Sequence, residues 1–313
     1  MLSTAAQQRA ALELAAIAYT DEVNPGTRVA DITNALATAV PAGAGSPWTL
    51  AWGPGEVEGI LAYVARSSDK STYALAFRGS LSQLTAHEFV DNWLANINTF
   101  RQVPWLFPQG GAVQISSGMN GALAYVTMLT DRTTNKHLLD FLRGVVASEK
   151  SLQLLVTGHS LGGALTQLAS QWLYNQLVQT GHLANVHITP MTFAAPTTGN
   201  QQFSTLFQTT FPDNYACVNE HDIVPRAWWD FHALQSMYPR PGQTIAEFGV
   251  AAAAAVAIYK ASTGNVYRPV TAPPMDMFPG WMPQAPDKFA HTMEVNHGID
   301  TYRDYIRVKT NIY

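Results

Sequence analysis

Apolar side chains recur along this chain at two spacings, and the switches between them divide it into helical and extended segments. Over residues 3–20 aliphatic positions return near helical spacing, with Ser3 placed to cap the first turn, so the pattern predicts a helix. Three short runs follow, 49–52, 59–66 and 71–77, split by Gly53-Pro54-Gly55 and by Ser67-Ser68-Asp69-Lys70, and they read as successive strands of a meander. Helical spacing returns over 120–129 and 137–146. A buried strand is expected over 151–157, a long helix over 161–178, and strands over 187–193 and 215–218 with a helix over 201–209 between them. This βαβαβ succession predicts an α/β chain, with a mostly parallel central sheet and helices on both faces. An alanine-rich helix is expected near 247–261. The proline-rich segment 268–286, with Met275, Met277, Phe278, Trp281 and Met282, excludes a regular helix or a central strand.

Composition narrows the picture. A length of 313 residues with 47% hydrophobic content suits one large domain spanning 1–313. Net charge is −4 and charged residues are 13% of the chain, so no basic stripe exists to neutralise a phosphate backbone and nucleic acid is not an expected partner. The single cysteine, Cys217, rules out an internal disulfide framework and reads as filling in a buried strand. No transmembrane segment is expected, because the longest apolar candidate, 249–258, is about half the length that crosses a bilayer. Residues 1–19 contain Arg9 and Glu13 and lack the ordered regions of a secretion signal. A soluble protein is expected, with its location open between the cytoplasm and export.

One motif carries chemistry. Gly158-His159-Ser160-Leu161-Gly162-Gly163 lies between the expected strand at 151–157 and the expected helix at 161–178, the setting of a nucleophile elbow. Five residues of Gly-x-Ser-x-Gly mean little alone; the strand before and helix after give them weight. The turn is too tight for side chains beside the serine, and it lifts Ser160 clear of the sheet. A serine hydroxyl is a poor nucleophile at neutral pH, so it needs a base within reach and a carboxylate to orient that base.

Asp222 is the expected acid, just past the strand at 215–218, at the carboxyl end where open α/β sheets place functional groups; Glu220 is the alternative. Two late histidines compete for the base. His297 is preferred because Gly298 gives it a turn before a final helix carrying Tyr302 and Ile306, and His291 remains the alternative. His159 is expected only to pack beside Ser160. An oxyanion would be held by the backbone N–H of Leu161 and by Ser80, at the end of Phe77-Arg78-Gly79-Ser80.

At these residues the chain resembles the class 3 lipases, the fungal-type triacylglycerol lipase family of the α/β-hydrolases. The resemblance rests on Phe77-Arg78-Gly79-Ser80, Asn92-Trp93-Leu94-Ala95-Asn96, the elbow, Phe193-Ala194-Ala195-Pro196 with Gly199-Asn200, Asp222-Ile223-Val224-Pro225, and His297 with Tyr302, in the family's order. It implies Ser160 as nucleophile, Asp222 as acid, His297 as base and Ser80 with Leu161 as oxyanion hole. It implies a lid over 81–91, where Leu81, Leu84, Phe89 and Val90 alternate with polar residues as in a short amphipathic helix, and transient contact with a lipid–water interface. Leu81, Leu84, Phe89, Trp93, Pro196, Val224 and Ile299 are the expected substrate contacts, and the segment 268–286 would form an apolar wall beside a lipid cleft or an ordinary covering loop.

The chain departs from the family in a lid segment longer than the compact fungal pattern, in Ser116-Ser117-Gly118-Met119 before the second helix, and in lacking the disulfides of secreted fungal members. Neither cofactor nor metal is expected. The expected activity is hydrolysis of acylglycerol esters through an acyl-enzyme, with phospholipase A1, feruloyl esterase and acyltransferase activities open on the same machinery. Two other classes stand beside it: a non-catalytic lipid-binding module on a hydrolase scaffold, and a metal-dependent hydrolase drawing on His221, Asp222, His291, Glu294 and His297, whose spacing does not match His-Glu-x-x-His.

Overall fold

A computed structural model of the chain describes residues 4–20, 26–40, 47–80, 101–107, 112–179, 185–226, 229–230, 266–270, 275–281 and 289–310. The expected lid at 81–91, the Asn92–Asn96 motif, the alanine-rich helix near 247–261 and Ser3 lie outside the described residues. Leu81, Leu84, Phe89 and Trp93 are therefore without a described position.

Seven strands form the main sheet: β1 (Thr49–Val57), β2 (Ile60–Arg66), β3 (Tyr73–Phe77), β6 (Leu152–His159), β7 (Val186–Phe193), β8 (Tyr215–Asn219) and β9 (Asp276–Phe278), hydrogen-bonded in the order β1-β2-β3-β6-β7-β8-β9. The first three strands are antiparallel, as a meander requires, and β3-β6-β7-β8-β9 run parallel. The small strands β4 (Gln102–Pro104) and β5 (Gln114–Ser116) make a separate antiparallel pair.

Both faces of the sheet are covered, which explains why β2 and β3 read as continuous apolar runs. On one face Ala62, Val64, Leu75 and Val156 pack under α3 (Ser117–Met128), α4 (Leu138–Glu149), α5 (Leu161–Leu173) and α6 (Gln201–Thr210). On the other, Tyr63, Ala65, Ala74, Ala76, Leu155 and Cys217 pack under α1 (Ala5–Ile17), α2 (Arg28–Thr38) and α8 (Ile299–Thr310). A short helix, α7 (Phe289–His297), leads into α8. This is the mostly parallel, doubly covered sheet of an α/β-hydrolase fold.

Several boundaries differ from the expected ones, each for a local reason. Thr4 caps α1: its hydroxyl accepts from the Gln7 N–H at 3.2 Å while the Gln7 side chain accepts from the Thr4 N–H at 2.9 Å. β1 continues through Gly53-Pro54-Gly55 instead of ending there, because it is an edge strand and its register with β2 slips on either side of Trp52. The Ser116 hydroxyl accepts from the Met119 N–H at 3.1 Å, so α3 begins at Ser117 and not at Asn120. Past Leu173 the ladder of α5 loosens into a π-helix over Tyr174–Gln179. The proline-rich segment supplies β9, a three-residue edge strand on β8.

Candidate active site

The elbow is built by close backbone approach. Ser160 sits at φ 59° and ψ −128°, outside the ordinary regions for a residue with a side chain, and its N–H donates to Phe193 O at 3.0 Å. The glycines make the contact possible. A Cβ on Gly158 would stand 2.3 Å from the backbone of Gly162, and one on Gly162 would stand 2.4 Å from Phe77 O. The helix therefore begins directly against the sheet, with Leu161 in its first turn, where backbone N–H groups have no partner within the helix.

His297 is the residue the fold brings to Ser160. It ends α7, and its Nε2 lies 2.8 Å from Ser160 Oγ while its Nδ1 lies 2.8 Å from Asp222 Oδ2. The acid fixes the proton's position. A carboxylate oxygen accepts, so Nδ1 carries the hydrogen and Nε2 is left bare toward the serine hydroxyl. Asp222 follows β8 and is 1% exposed, and its charge is held by two further donors: the Val224 N–H to Oδ1 at 2.9 Å and the Tyr302 hydroxyl to Oδ2 at 2.7 Å. Tyr302, from α8, also accepts from the Asn219 N–H at 3.1 Å. Burial, with the Asp222 charge second, pushes the Tyr302 phenol well above its ordinary value, so it stays a neutral donor.

The other candidates occupy different places. His291 lies exposed on α7, its ring 5.7 Å from that of Trp281. Glu220 is exposed beyond β8, and its N–H donates to Phe278 O. Ser80 is half-buried, three residues past β3, and the preceding Gly79 packs against the elbow: a Cβ there would stand 3.2 Å from Ser160 Cβ and 2.8 Å from His159 O.

Pro196 lines an apolar cavity of about 130 Å³ with Ala195, Val218, Trp229, Met275 and Met277, the two methionines coming from the proline-rich segment. Val224 is fully buried in the core, and what it gives the site is its backbone N–H. Ile299, the first residue of α8, is half-buried and packs against the core under α1. Among the described residues no cluster of three or more His, Cys, Asp or Glu side chains is arranged to hold a metal, and no helix is long and apolar enough to cross a membrane.

His159 carries more than the expected packing. Its ring is buried, 4.9 Å from the His297 ring and 5.6 Å from that of Tyr302, with both nitrogens engaged: Nε2 lies 2.8 Å from His297 O and Nδ1 lies 3.1 Å from the Tyr19 hydroxyl. Nothing in the local sequence announces this, because one partner lies about 140 residues away toward each end of the chain.

Sheet order, elbow and covering helices define an α/β-hydrolase. A family model described as Lipase (class 3) matches residues 74–231, just over half of the chain, and the chain belongs to that family. A lipase of Rhizomucor miehei is 29% identical over 164 residues, which cover 52% of this chain and 39% of that protein. The chloroplastic phospholipase A1-Igamma1 of Arabidopsis thaliana is 26% identical over 214 residues, covering 58% and 38%. The match thus spans about two fifths of the length of these curated relatives. In fold, the crystal structure of M37 lipase corresponds over 100% of this chain and 96% of that one, with a TM-score of 0.80 at 20% identity. Lipase II from Rhizopus niveus gives 0.51 over 72% of this chain and 76% of its own, at 22% identity.

Proposed function

We propose that this lipase-family hydrolase is a serine carboxylester hydrolase acting on acylglycerols. The observation that carries the reading is the single imidazole of His297 within hydrogen-bond distance of both Ser160 Oγ and Asp222 Oδ2. Ser160 Oγ attacks the ester carbonyl as its proton passes to His297 Nε2, and the charged imidazole is stabilised by Asp222 through Nδ1–H. The oxyanion is taken by the Leu161 N–H and by Ser80. His297 returns the proton to the departing alkoxide, the acyl group stays on Ser160, and water activated by the same imidazole releases the fatty acid. A scaffold kept only for lipid binding would have no need of this alignment, which favours turnover over passive binding.

The reading is tested by a panel of p-nitrophenyl esters from short to long acyl chains, run beside triolein and a diacyl phospholipid, with Ser160→Ala as control. Hydrolysis of the glyceride with loss of all activity in Ser160→Ala is the expected result. Phospholipid cleavage exceeding triolein cleavage would favour the phospholipase reading that the Arabidopsis thaliana relative suggests. Near-wild-type turnover by Ser160→Ala, or failure of a fluorophosphonate to label Ser160, would overturn the serine mechanism.

A further inference from the structure

The contacts of His159 have a direction that its neighbours impose. His297 O is a carbonyl and can only accept, so the 2.8 Å contact requires a hydrogen on His159 Nε2. A neutral imidazole then has a bare Nδ1, and the Tyr19 hydroxyl donates to it at 3.1 Å in preference to the longer 3.4 Å contact with His159 O. The Tyr19 oxygen in turn accepts from the Gly79 N–H at 3.1 Å. Hydrogen bonds therefore run one way from Gly79 N–H through Tyr19 and His159 to the carbonyl of His297. Both ends of this run are backbone groups, an N–H that can only donate and a C=O that can only accept, and the middle leaves one tautomer.

We propose that His159 is a positioning residue: as a neutral imidazole it clamps the backbone of His297 and, through Tyr19, ties the loop bearing Ser80 to the same frame. The inference rests on the hydrolase reading of Ser160, His297 and Asp222 and adds a residue that touches no substrate. The clamp acts where no side chain of the triad does. Asp222 and Ser160 hold the ring of His297, whereas His159 holds its main chain at the end of α7, just before the turn at Gly298.

Two features support the charge state. His159 is buried, and burial, with the nearby His297 second, holds its imidazole well below the ordinary value of 6.5. A second cation 4.9 Å from the His297 ring would also oppose the imidazolium that ester attack creates there, so the neutral form of the clamp favours the base. The junction is also sterically committed. A Cβ on Gly79 would stand 2.1 Å from the Tyr19 hydroxyl, so only glycine lets that N–H reach its acceptor.

The test compares side chains that keep different parts of the clamp, using a soluble short-chain p-nitrophenyl ester. His159→Leu keeps bulk and loses both links; His159→Gln puts an amide N–H near the Nε2 position; His159→Asn reaches only the Nδ1 side. Leu and Asn should lower kcat about tenfold to hundredfold with little change in KM, the size of effect expected when a reacting group is misplaced. Gln should restore most of the loss. Tyr19→Phe should cost less alone and add nothing to His159→Leu.

A wild-type kcat in His159→Leu would overturn the proposal, as would Asn matching or exceeding Gln. Should the Leu variant fail to fold, the Gln and Asn pair still decides. Ser160→Ala, assayed in parallel, separates the two layers: turnover by that variant removes the hydrolase reading itself, whereas a dead Ser160→Ala beside an unimpaired His159→Leu removes only the clamp.

Discussion

A buried histidine that refuses a proton changes how the fold responds to acid. Among the described residues, the titratable groups whose contacts face His159 are Tyr19 from the turn after α1, His297 at the end of α7 and Tyr302 on α8, and none of these three offers it a negative charge. Unfolded, the same imidazole protonates near its ordinary 6.5, whereas folded it does so only well below that. Between these two points the unfolded chain binds one more proton, so stability contributed by this site is unaffected above 6.5 and falls as pH drops beneath it, by about 1.4 kcal/mol per pH unit at most. Urea melts at a series of pH values should show a shallower acid limb for His159→Gln than for the wild type, and superimposable limbs would exclude His159 as a source of acid lability. The role of this residue was not legible from the motif because it depends on Tyr19 and His297, which only the fold brings to it. Ser160 and Asp222 could be nominated from sequence because Ser160 follows β6 directly and Asp222 lies three residues past β8; the turn at Gly298 favours His297 over His291, and α7 sets His291 against Trp281 and His297 against Ser160.

Among the elements, the strand-turn-helix unit β6–α5 was readable in kind, since an apolar run, a glycine-flanked turn and a helical repeat all point to it, although the strand runs on to His159 and the α-helix gives way to a π-helix after Leu173. Elements with weaker local signals were missed. α2 buries Ile32 and Leu36 in a short stretch whose other residues are polar or small apart from the exposed Val29, and β9 is three residues inside a proline-rich segment, too short for any alternation to register. Two helical glycines, one in α5 and one in α4, have opposite expected fates. Ala at 162 would set a methyl 2.4 Å from Phe77 O and 3.1 Å from the Arg78 carbonyl carbon, forcing α5 off β3. Gly144, inside α4, has nothing within 4 Å of an added Cβ. Gly162→Ala should abolish a cooperative thermal transition, and Gly144→Ala should stabilise by about 0.5 to 1 kcal/mol through helix propensity. Calorimetry distinguishes the two, and a normal melt for Gly162→Ala would mean that the elbow can yield.

For the molecule as a whole, the two terminal helices meet on one face of the sheet. Glu13 of α1, 1% exposed at its side chain, receives Arg303 of α8 at 2.7 Å and pairs with Arg9 one turn back. Removing one partner of such a buried set leaves charge uncompensated, so Glu13→Gln should cost about 3 to 5 kcal/mol in denaturant unfolding. A loss under about 1 kcal/mol would show that the helices dock through their apolar faces alone. This docking bears on chemistry, because α8 also carries Tyr302 to Asp222 and begins two residues after His297. Proteins are made from the amino end forward, and here the serine emerges long before the imidazole and the phenol that complete its surroundings. A growing chain halted on the ribosome with residues 297–302 still in the exit tunnel would hold Ser160 without the imidazole that bonds it, and Asp222 without the phenol that bonds it, in the folded chain.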